Sequence, residues 1–222
     1  MRHDRLERLR AIARRHGAGA AVGHVLDRLA RQVMTLDGSR LVLLEVESLE
    51  PAPPADEEYA FTFLNEAQVR NYAADPRNCL DVTLTQPMAA GGDLCFAALA
   101  GDRLAAYGWY ALGTVDPRHC GGMTLSLPAE MAYFYNGFTQ SEFRGRQLYV
   151  RLMGLGLQAL AERGIRKVLA SVAWTNWAAL KSCRRRGCID LGPVVGLGRG
   201  RWKLLFPPRS ARRQGIGFRI GP

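Results

Sequence analysis

Residues 131–149 read MAYFYNGFTQSEFRGRQLY and carry the pattern that decides the fold. Their first nine residues are mostly apolar or aromatic and predict a strand, Met131–Thr139. A polar loop rich in arginine follows, and helical periodicity then predicts a helix over Leu148–Arg163. The next apolar segment, Arg166–Ala173, predicts a second strand. These segments together predict a strand–helix–strand crossover with two parallel strands.

Further strands and helices are predicted on both sides of this unit. A capping pair, Asn65 and Gln68, predicts one helix start, and Gly187 is placed to end a helix over Trp177–Arg186. Strands are predicted at Leu41–Val46, Leu94–Ala100, Arg103–Leu112, Cys188–Val195 and Arg201–Phe206. The order predicts an α/β fold with a mixed, mostly antiparallel central sheet flanked by helices.

Length and composition indicate one folded domain with two basic appendages. The chain has 222 residues, of which 48% are hydrophobic and 23% are charged, so a disordered chain is excluded. We expect the domain at 39–206, a basic amphipathic helical extension at 1–38 and a basic tail at 207–222. The extension either packs on the domain or docks peripherally on an anionic membrane. The tail is either a disordered arm or an edge that contacts a partner.

Charge and cysteine usage restrict the partners and the compartment. The net charge is +10, and arginines far outnumber lysines, which favours phosphate and carboxylate partners. Nucleic acid, anionic lipid and a polyphosphate cofactor all fit that charge, with nucleic acid the weaker expectation. No run approaches ~18 apolar residues and no signal-peptide pattern is evident, so a cytoplasmic protein is expected.

The five cysteines contain no Cys-x-x-Cys pair, which predicts reduced thiols and no metal site. His119 lies beside Cys120, but no further ligand follows at a metal-binding spacing.

The loop between Met131–Thr139 and the following helix is a candidate phosphate site. Backbone N–H groups and the positive end of a helix dipole meet where such a loop enters a helix. Arg144 and Arg146 flank Gly145 and add positive charge. The loop therefore predicts a diphosphate-binding site.

This loop and the later segment 176–188, NWAALKSCRRRGC, resemble the two core motifs of the GCN5-related N-acetyltransferase superfamily. The resemblance covers roughly residues 90–206 and implies that acetyl-CoA or another acyl-CoA is the co-substrate. It assigns acyl-CoA binding to Phe138, Thr139, Arg144, Gly145, Arg146, Gln147, Leu148, Tyr149 and Asn176. It also implies a bulge at Asn136-Gly137 that opens the strand and a backbone N–H near Phe138 for the thioester carbonyl.

The sequence departs from the family pattern at four positions, one of which is Cys188, where the family has phenylalanine after the glycine. Gln147 and Tyr149 stand where the pyrophosphate motif has glycines. Cys183 stands where the family usually places the tyrosine that protonates the leaving thiolate. An acyl thioester other than acetyl-CoA therefore stays open as the co-substrate.

Three residues are candidates for proton transfer. Glu130 is the carboxylate nearest the predicted strand and is the first choice of base, unless it is simply an exposed acid at the strand end. Tyr133 shares one strand face with Tyr135 and either lines the acceptor pocket or relays a proton, unless both belong to the core. Cys183 is either a thiol acid or a small buried residue.

The sequence thus predicts an N-acyltransferase that passes an acyl group from acyl-CoA directly to a primary amine, with an amino sugar or a small amine as acceptor. The alternative is a catalytically degenerate domain of the same fold that binds acyl-CoA, nucleic acid or a membrane through its arginine-rich surface. Homodimer formation stays open.

Overall fold

The structure is a computed structural model that describes residues 35–48, 58–146, 148–199 and 202–220. Eleven strands lie in these ranges: β1 (Thr35–Glu45), β2 (Ala60–Leu64), β3 (Asp93–Ala100), β4 (Arg103–Leu112), β5 (Thr114–Val115), β6 (Met123–Ser126), β7 (Met131–Thr139), β8 (Lys167–Ala173), β9 (Ile189–Arg199), β10 (Trp202–Phe206) and β11 (Gly217–Ile220). The α-helices in the same ranges are α1 (Glu66–Ala73), α2 (Thr85–Ala89), α3 (Leu148–Ala161), α4 (Trp177–Arg185) and α5 (Arg209–Arg213).

Eight strands form the main sheet in the order β10-β9-β1-β8-β7-β4-β3-β2. Strands β7 and β8 pair in parallel, and the other described pairs are antiparallel. A smaller sheet has the order β11-β6-β5. The chain therefore has the predicted α/β fold, with a mostly antiparallel sheet and β7–α3–β8 as its parallel crossover.

Local sequence signals explain several element boundaries. The Asn65 side chain accepts from the Gln68 backbone, and the Gln68 side chain accepts from the Asn65 backbone, which confirms the predicted capping box of α1. Gly101 has a φ of 58° in the turn that joins β3 to β4. Gly187 has a φ of 71° just after α4, as expected for a residue that ends a helix.

The two faces of the sheet bury two apolar clusters. In β7, Tyr133 and Tyr135 belong to one cluster, whereas Ala132 and Phe134 belong to the other, as strand alternation requires. Helix α3 covers the second face with three fully buried leucines, Leu152, Leu157 and Leu160. The parallel strands are thus held between α3 and the opposite cluster.

The C-terminal segment corrects a prediction. Residues 209–220 form α5 and β11, and β11 pairs with β6. Ala211 and Ile216 are buried in the core, so this part of the basic tail is built into the domain. The predicted helical extension lies, except for its last four residues, outside the described residues, and β1 begins at Thr35 within it.

Across the described ranges, none of the helices has both the length and the apolar character needed to span a bilayer.

Candidate functional site

Strands β7 and β8 separate halfway along their length. Their parallel pairing runs from Met131 opposite Lys167 to Phe134 opposite Ala170, although both strands continue beyond these residues. Beyond Phe134, the backbone N–H and C=O groups of β7 that face β8 have no hydrogen-bond partner in β8. They can therefore bond to a ligand or to water.

A bulge marks the point of separation. The register between β4 and β7 shifts between Tyr107 and Trp109, so that Asn136 and Gly137 lie opposite Gly108. Asn136 has a φ of 46°, a conformation that asparagine adopts more readily than most residues. The bulge predicted at Asn136-Gly137 is confirmed.

The separated strands enclose a cavity of about 390 Å³. One wall is formed by β7 and β8, and the other walls are formed by α3, α4 and the turn that follows α4. The lining residues are Phe134, Tyr135, Asn136, Gly137, Met153, Ala170, Ser171, Val172, Ala179, Ser182, Cys183, Arg186 and Cys188. We call this cavity the cleft. Its mainly apolar walls and its strand backbone suit a long chain with amide groups.

The loop between β7 and α3 lies at the open end of the strand pair. Its backbone turns at Gly145, which has a φ of 83°. Arg144 Nε donates to the Thr139 carbonyl oxygen at 3.3 Å, which holds this side chain at the end of β7. Arg146 instead forms an ion pair with Glu58 and donates to the Tyr59 hydroxyl oxygen at 2.7 Å. Arg144 is therefore better placed than Arg146 to meet an anion.

Other residues assigned by the resemblance have structural positions of their own. Phe138 and Thr139 are half-buried at the end of β7, and Leu148, the first residue of α3, is buried in the core. The Asn176 side chain caps α4 by accepting from the Ala179 backbone at 3.2 Å. Gln147 and the Tyr149 side chain lie outside what the structure describes.

Glu130 has the position of the exposed strand-end acid that was its alternative interpretation. Glu130 is exposed and precedes β7, and its carbonyl oxygen accepts from the backbone of Arg166 and Lys167 at 2.8 and 3.0 Å. The cleft begins beyond Phe134, and five residues of extended chain separate Glu130 from Tyr135 by roughly 16 Å. The structure therefore does not bring Glu130 to the cleft.

Tyr133 lies close to the cleft but is fully buried. Its hydroxyl donates to the His119 carbonyl oxygen at 3.2 Å and is also hydrogen-bonded to Ser171. Burial raises the pKa of Tyr133, while the bond from Ser171 opposes that shift. Tyr133 can therefore hold a neighbouring hydroxyl in place, but it is not poised to ionise near neutral pH.

Ser171 connects the cleft to a second cavity on the Tyr133 face of the sheet. This smaller cavity has a volume of about 160 Å³. Its lining residues are Gly38, Ser39, Gly121, Met123, Ser171, Ala173, Val194, Gly196 and Leu205. Sequence reasoning missed Ser171, although a lone hydroxyl in the apolar strand KVLASVA was a usable signal.

Next to Tyr133, the buried carboxyl group of Asp93 is hydrogen-bonded to Tyr135. The Tyr135 hydroxyl donates to Asp93 Oδ2 at 2.5 Å, and the His119 ring stacks on the Tyr135 ring with centroids 4.1 Å apart. Burial raises the pKa of Asp93 and lowers the pKa of His119. This cluster lies on the same sheet face as the smaller cavity, and no sequence pattern groups its members.

Cys183 lines the cleft from α4, as the resemblance implied for its position. It is buried and hydrogen-bonded to Cys188, which lines the same wall. That bond and the positive charge of Arg186 hold the pKa of Cys183 below its usual value. Within the described ranges no three His, Cys, Asp or Glu side chains cluster in a way that could bind a metal.

Comparison by sequence finds no match: no protein-family model and no curated protein matches this chain. Comparison of structures does find matches. A GNAT-family protein from Novosphingobium aromaticivorans is 18% identical with a TM-score of 0.52, over 75% of this chain and 67% of that one. A GCN5-related N-acetyltransferase from Kribbella flavida is 16% identical with a TM-score of 0.53, over 81% of this chain and 64% of that one.

A third similar structure is a tandem GNAT protein from the clavulanic acid biosynthesis pathway, which is 15% identical with a TM-score of 0.52. That match covers 86% of this chain and 71% of the tandem protein. These structural matches, at 15–18% sequence identity, establish the architecture alone. The chain therefore has the GCN5-related N-acetyltransferase fold.

Proposed function

We propose that this protein is an acyl-CoA-dependent N-acyltransferase whose acyl-CoA lies in the cleft between β7 and β8. The observation that carries the proposal is the separation of the parallel strands beyond Phe134, which opens a cavity of about 390 Å³ that α3 borders at Met153. Backbone groups of β7 suit the amides of a pantetheine arm, and the cleft walls suit its alkyl portions. The N-terminal end of α3 suits the pyrophosphate.

The smaller cavity is the proposed acceptor pocket. Ser171 lines both the smaller cavity and the cleft. An amine in the smaller cavity and a thioester in the cleft would therefore both lie next to Ser171. None of its nine lining residues is charged, and three of them are glycines. A volume of about 160 Å³ favours a small primary amine or a compact amino sugar.

Direct acyl transfer requires three steps at this junction. A neutral amine attacks the thioester carbonyl, the C–S bond breaks, and the CoA sulfur takes a proton. Ser171 is proposed to hydrogen-bond the attacking amine, with Tyr133 fixing the direction of its hydroxyl. Cys183, on the cleft side, is the proposed proton source for the departing sulfur.

Calorimetric titration with CoA and acetyl-CoA, followed by thiol release across a panel of amines, tests the proposal. Binding with amine-dependent release of CoA supports an acyltransferase. Binding without release for any amine supports the second candidate, a binder without transferase activity, which the position of Glu130 outside the cleft favours. Absence of CoA binding would contradict both.

Arg144→Glu is expected to weaken CoA binding by about tenfold, because the reversed charge repels a pyrophosphate at the start of α3. Calorimetry on the folded variant measures the loss. Arg213→Glu is the matched control, since it makes the same charge change at an exposed position of α5. Equal affinity of the Arg144 variant and the wild type would remove this loop from the site.

Ser171→Ala is expected to lower the rate of transfer at saturating acyl-CoA by about tenfold. This is the change in rate expected when the transition state loses one hydrogen bond. The affinity for CoA should change little, because the alanine keeps the cleft shape. Ser39→Ala is the control, since Ser39 lines the smaller cavity but not the cleft. Unchanged transfer by the Ser171 variant would contradict the proposed junction.

A further inference from the structure

Two cysteines meet where α4 ends. The Cys188 backbone N–H donates to the Cys183 carbonyl at 3.1 Å, and the Gly187 N–H donates to the Arg184 carbonyl at 3.2 Å. With Gly187 in the left-handed region, these bonds form a Schellman motif. In that motif the side chains that flank the turn contact each other, and here both are thiols.

The geometry suits a disulfide. The bond from Cys188 N–H to the Cys183 carbonyl limits the distance between the two α-carbons to about 7 Å. Disulfides span roughly 4.4–6.8 Å between α-carbons. The two thiols are already hydrogen-bonded to each other, so little movement is needed to join them.

A ligand that enters the cleft can reach both thiols. Cys183 and Cys188 line the cleft, and Cys188 is partly exposed. The Cys188 thiol and the Arg186 charge lower the pKa of Cys183, whereas the same bond and burial raise the pKa of Cys188. Cys183 therefore has the greater thiolate character of the pair, as expected of an attacking thiol.

We propose that Cys183 and Cys188 form a thiol–disulfide exchange site that reacts with low-molecular-weight disulfides entering the cleft, and that the preferred one is CoA disulfide. The exchange chemistry rests on the cysteine geometry alone. The preference for CoA disulfide rests on the proposed function, because it requires the cleft to bind CoA.

The exchange proceeds in two balanced steps. The Cys183 thiolate attacks one sulfur of CoA disulfide, the S–S bond breaks, and one CoA leaves as a thiolate that takes a proton from water. Cys188 then loses its proton and attacks the Cys183 sulfur, which releases the second CoA as a thiolate that is likewise protonated. The two protein thiols are oxidised to one disulfide, and CoA disulfide is reduced to two CoA thiols.

The remaining described cysteines serve as internal controls. Burial raises the pKa of Cys120 to about 12 and raises the pKa of Cys95 further. Cys79 is exposed and does not line the cleft. A disulfide confined to Cys183 and Cys188 therefore cannot be explained by exposure alone.

The test treats the reduced full chain with CoA disulfide, blocks free thiols with iodoacetamide and digests with trypsin without reduction. Trypsin cleaves after Arg184, Arg185 and Arg186, so the two cysteines fall on separate peptides, residues 182–184 and 187–199. We expect a mass corresponding to these two peptides joined by a disulfide, together with release of two CoA thiols per chain. Recovery of both peptides in alkylated form would overturn the proposal.

A parallel reaction with glutathione disulfide separates this inference from the proposed function. Faster oxidation by CoA disulfide supports both the exchange site and a CoA-binding cleft. Equal rates with the two reagents support the exchange site but count against CoA binding. No joined peptide with either reagent overturns the exchange site, whatever the calorimetric titration with CoA shows.

Variants identify the attacking thiol. Cys188→Ser is expected to trap CoA on Cys183 as a stable mixed disulfide, whereas Cys183→Ser should prevent adduct formation within the pair. Cys79→Ser is the control and should still yield the joined peptides. An adduct that forms on Cys188 of the Cys183→Ser variant at the wild-type rate would contradict the assignment of Cys183 as the attacking thiol.

Discussion

Ala179→Trp is expected to weaken CoA binding on the order of 100-fold or more, with the protein still folded. A loss of that size corresponds to about 2.8 kcal/mol of binding free energy, since each 1.4 kcal/mol is tenfold in affinity. Ala179 lines the cleft from α4 and is partly exposed there. An indole at this position fills much of a cavity of about 390 Å³ and takes the space that the pantetheine arm needs. Calorimetric titration with CoA measures the loss.

Ala178→Trp provides the matched control. Ala178 is the neighbouring residue on α4, is exposed and does not line the cleft. The two variants carry the same substitution on the same helix, so they differ in whether the ring enters the cleft. Equal affinities for CoA in the two folded variants would place the CoA site elsewhere.

The features that local sequence controls could be predicted. The strand Met131–Thr139 has the predicted bounds, and α4 ends at Arg185 before Gly187, within one residue of the prediction. Each depends on residues close in sequence: a run of apolar side chains for the strand, and glycine in the left-handed region for the helix end. The bulge at Asn136-Gly137 was also predictable once the family resemblance was recognised.

The features that depend on distant pairing could not be predicted. Ser171 reaches the smaller cavity because β8 lies beside β1, whose residues Gly38 and Ser39 come from the start of the described chain. Val194 and Leu205 complete this cavity from β9 and β10. Periodicity predicts which residues face the same side of a strand, but not which strands become neighbours.

Glu130 and the basic tail differ from their first interpretations for physical reasons that can be stated. Glu130 was chosen as the carboxylate nearest the strand, but an extended chain rises about 3.3 Å per residue, which carries it away from the cleft. The tail was interpreted from its arginines, whereas Ala211 and Ile216 decide its structure because they are buried in the core. A few apolar residues outweigh several solvated charges there.

Gly108→Ala is expected to destabilise the protein by about 1–3 kcal/mol, the usual cost of overpacking a core. Gly108 lies on β4 opposite the bulge, and a β-carbon there would come within 2.2 Å of one Phe134 ring carbon and 2.6 Å of another. The Phe134 ring packs edge-on against Tyr110, with centroids 5.2 Å apart, on the face beneath α3. Urea denaturation of the variant and the wild type measures the change in the free energy of unfolding.

The same substitution also tests how packing shapes the cleft. Phe134 lines the cleft, so a ring pushed away from Gly108 narrows the space for CoA, and the affinity of the folded variant should fall as well. Gly154→Ala is the matched control, because a β-carbon at that helical position meets nothing within 4 Å. In α3 that change should raise stability by roughly 0.5–1 kcal/mol, so the two glycine variants are expected to shift in opposite directions. Equal unfolding curves for the two variants would mean that Gly108 does not set the position of Phe134.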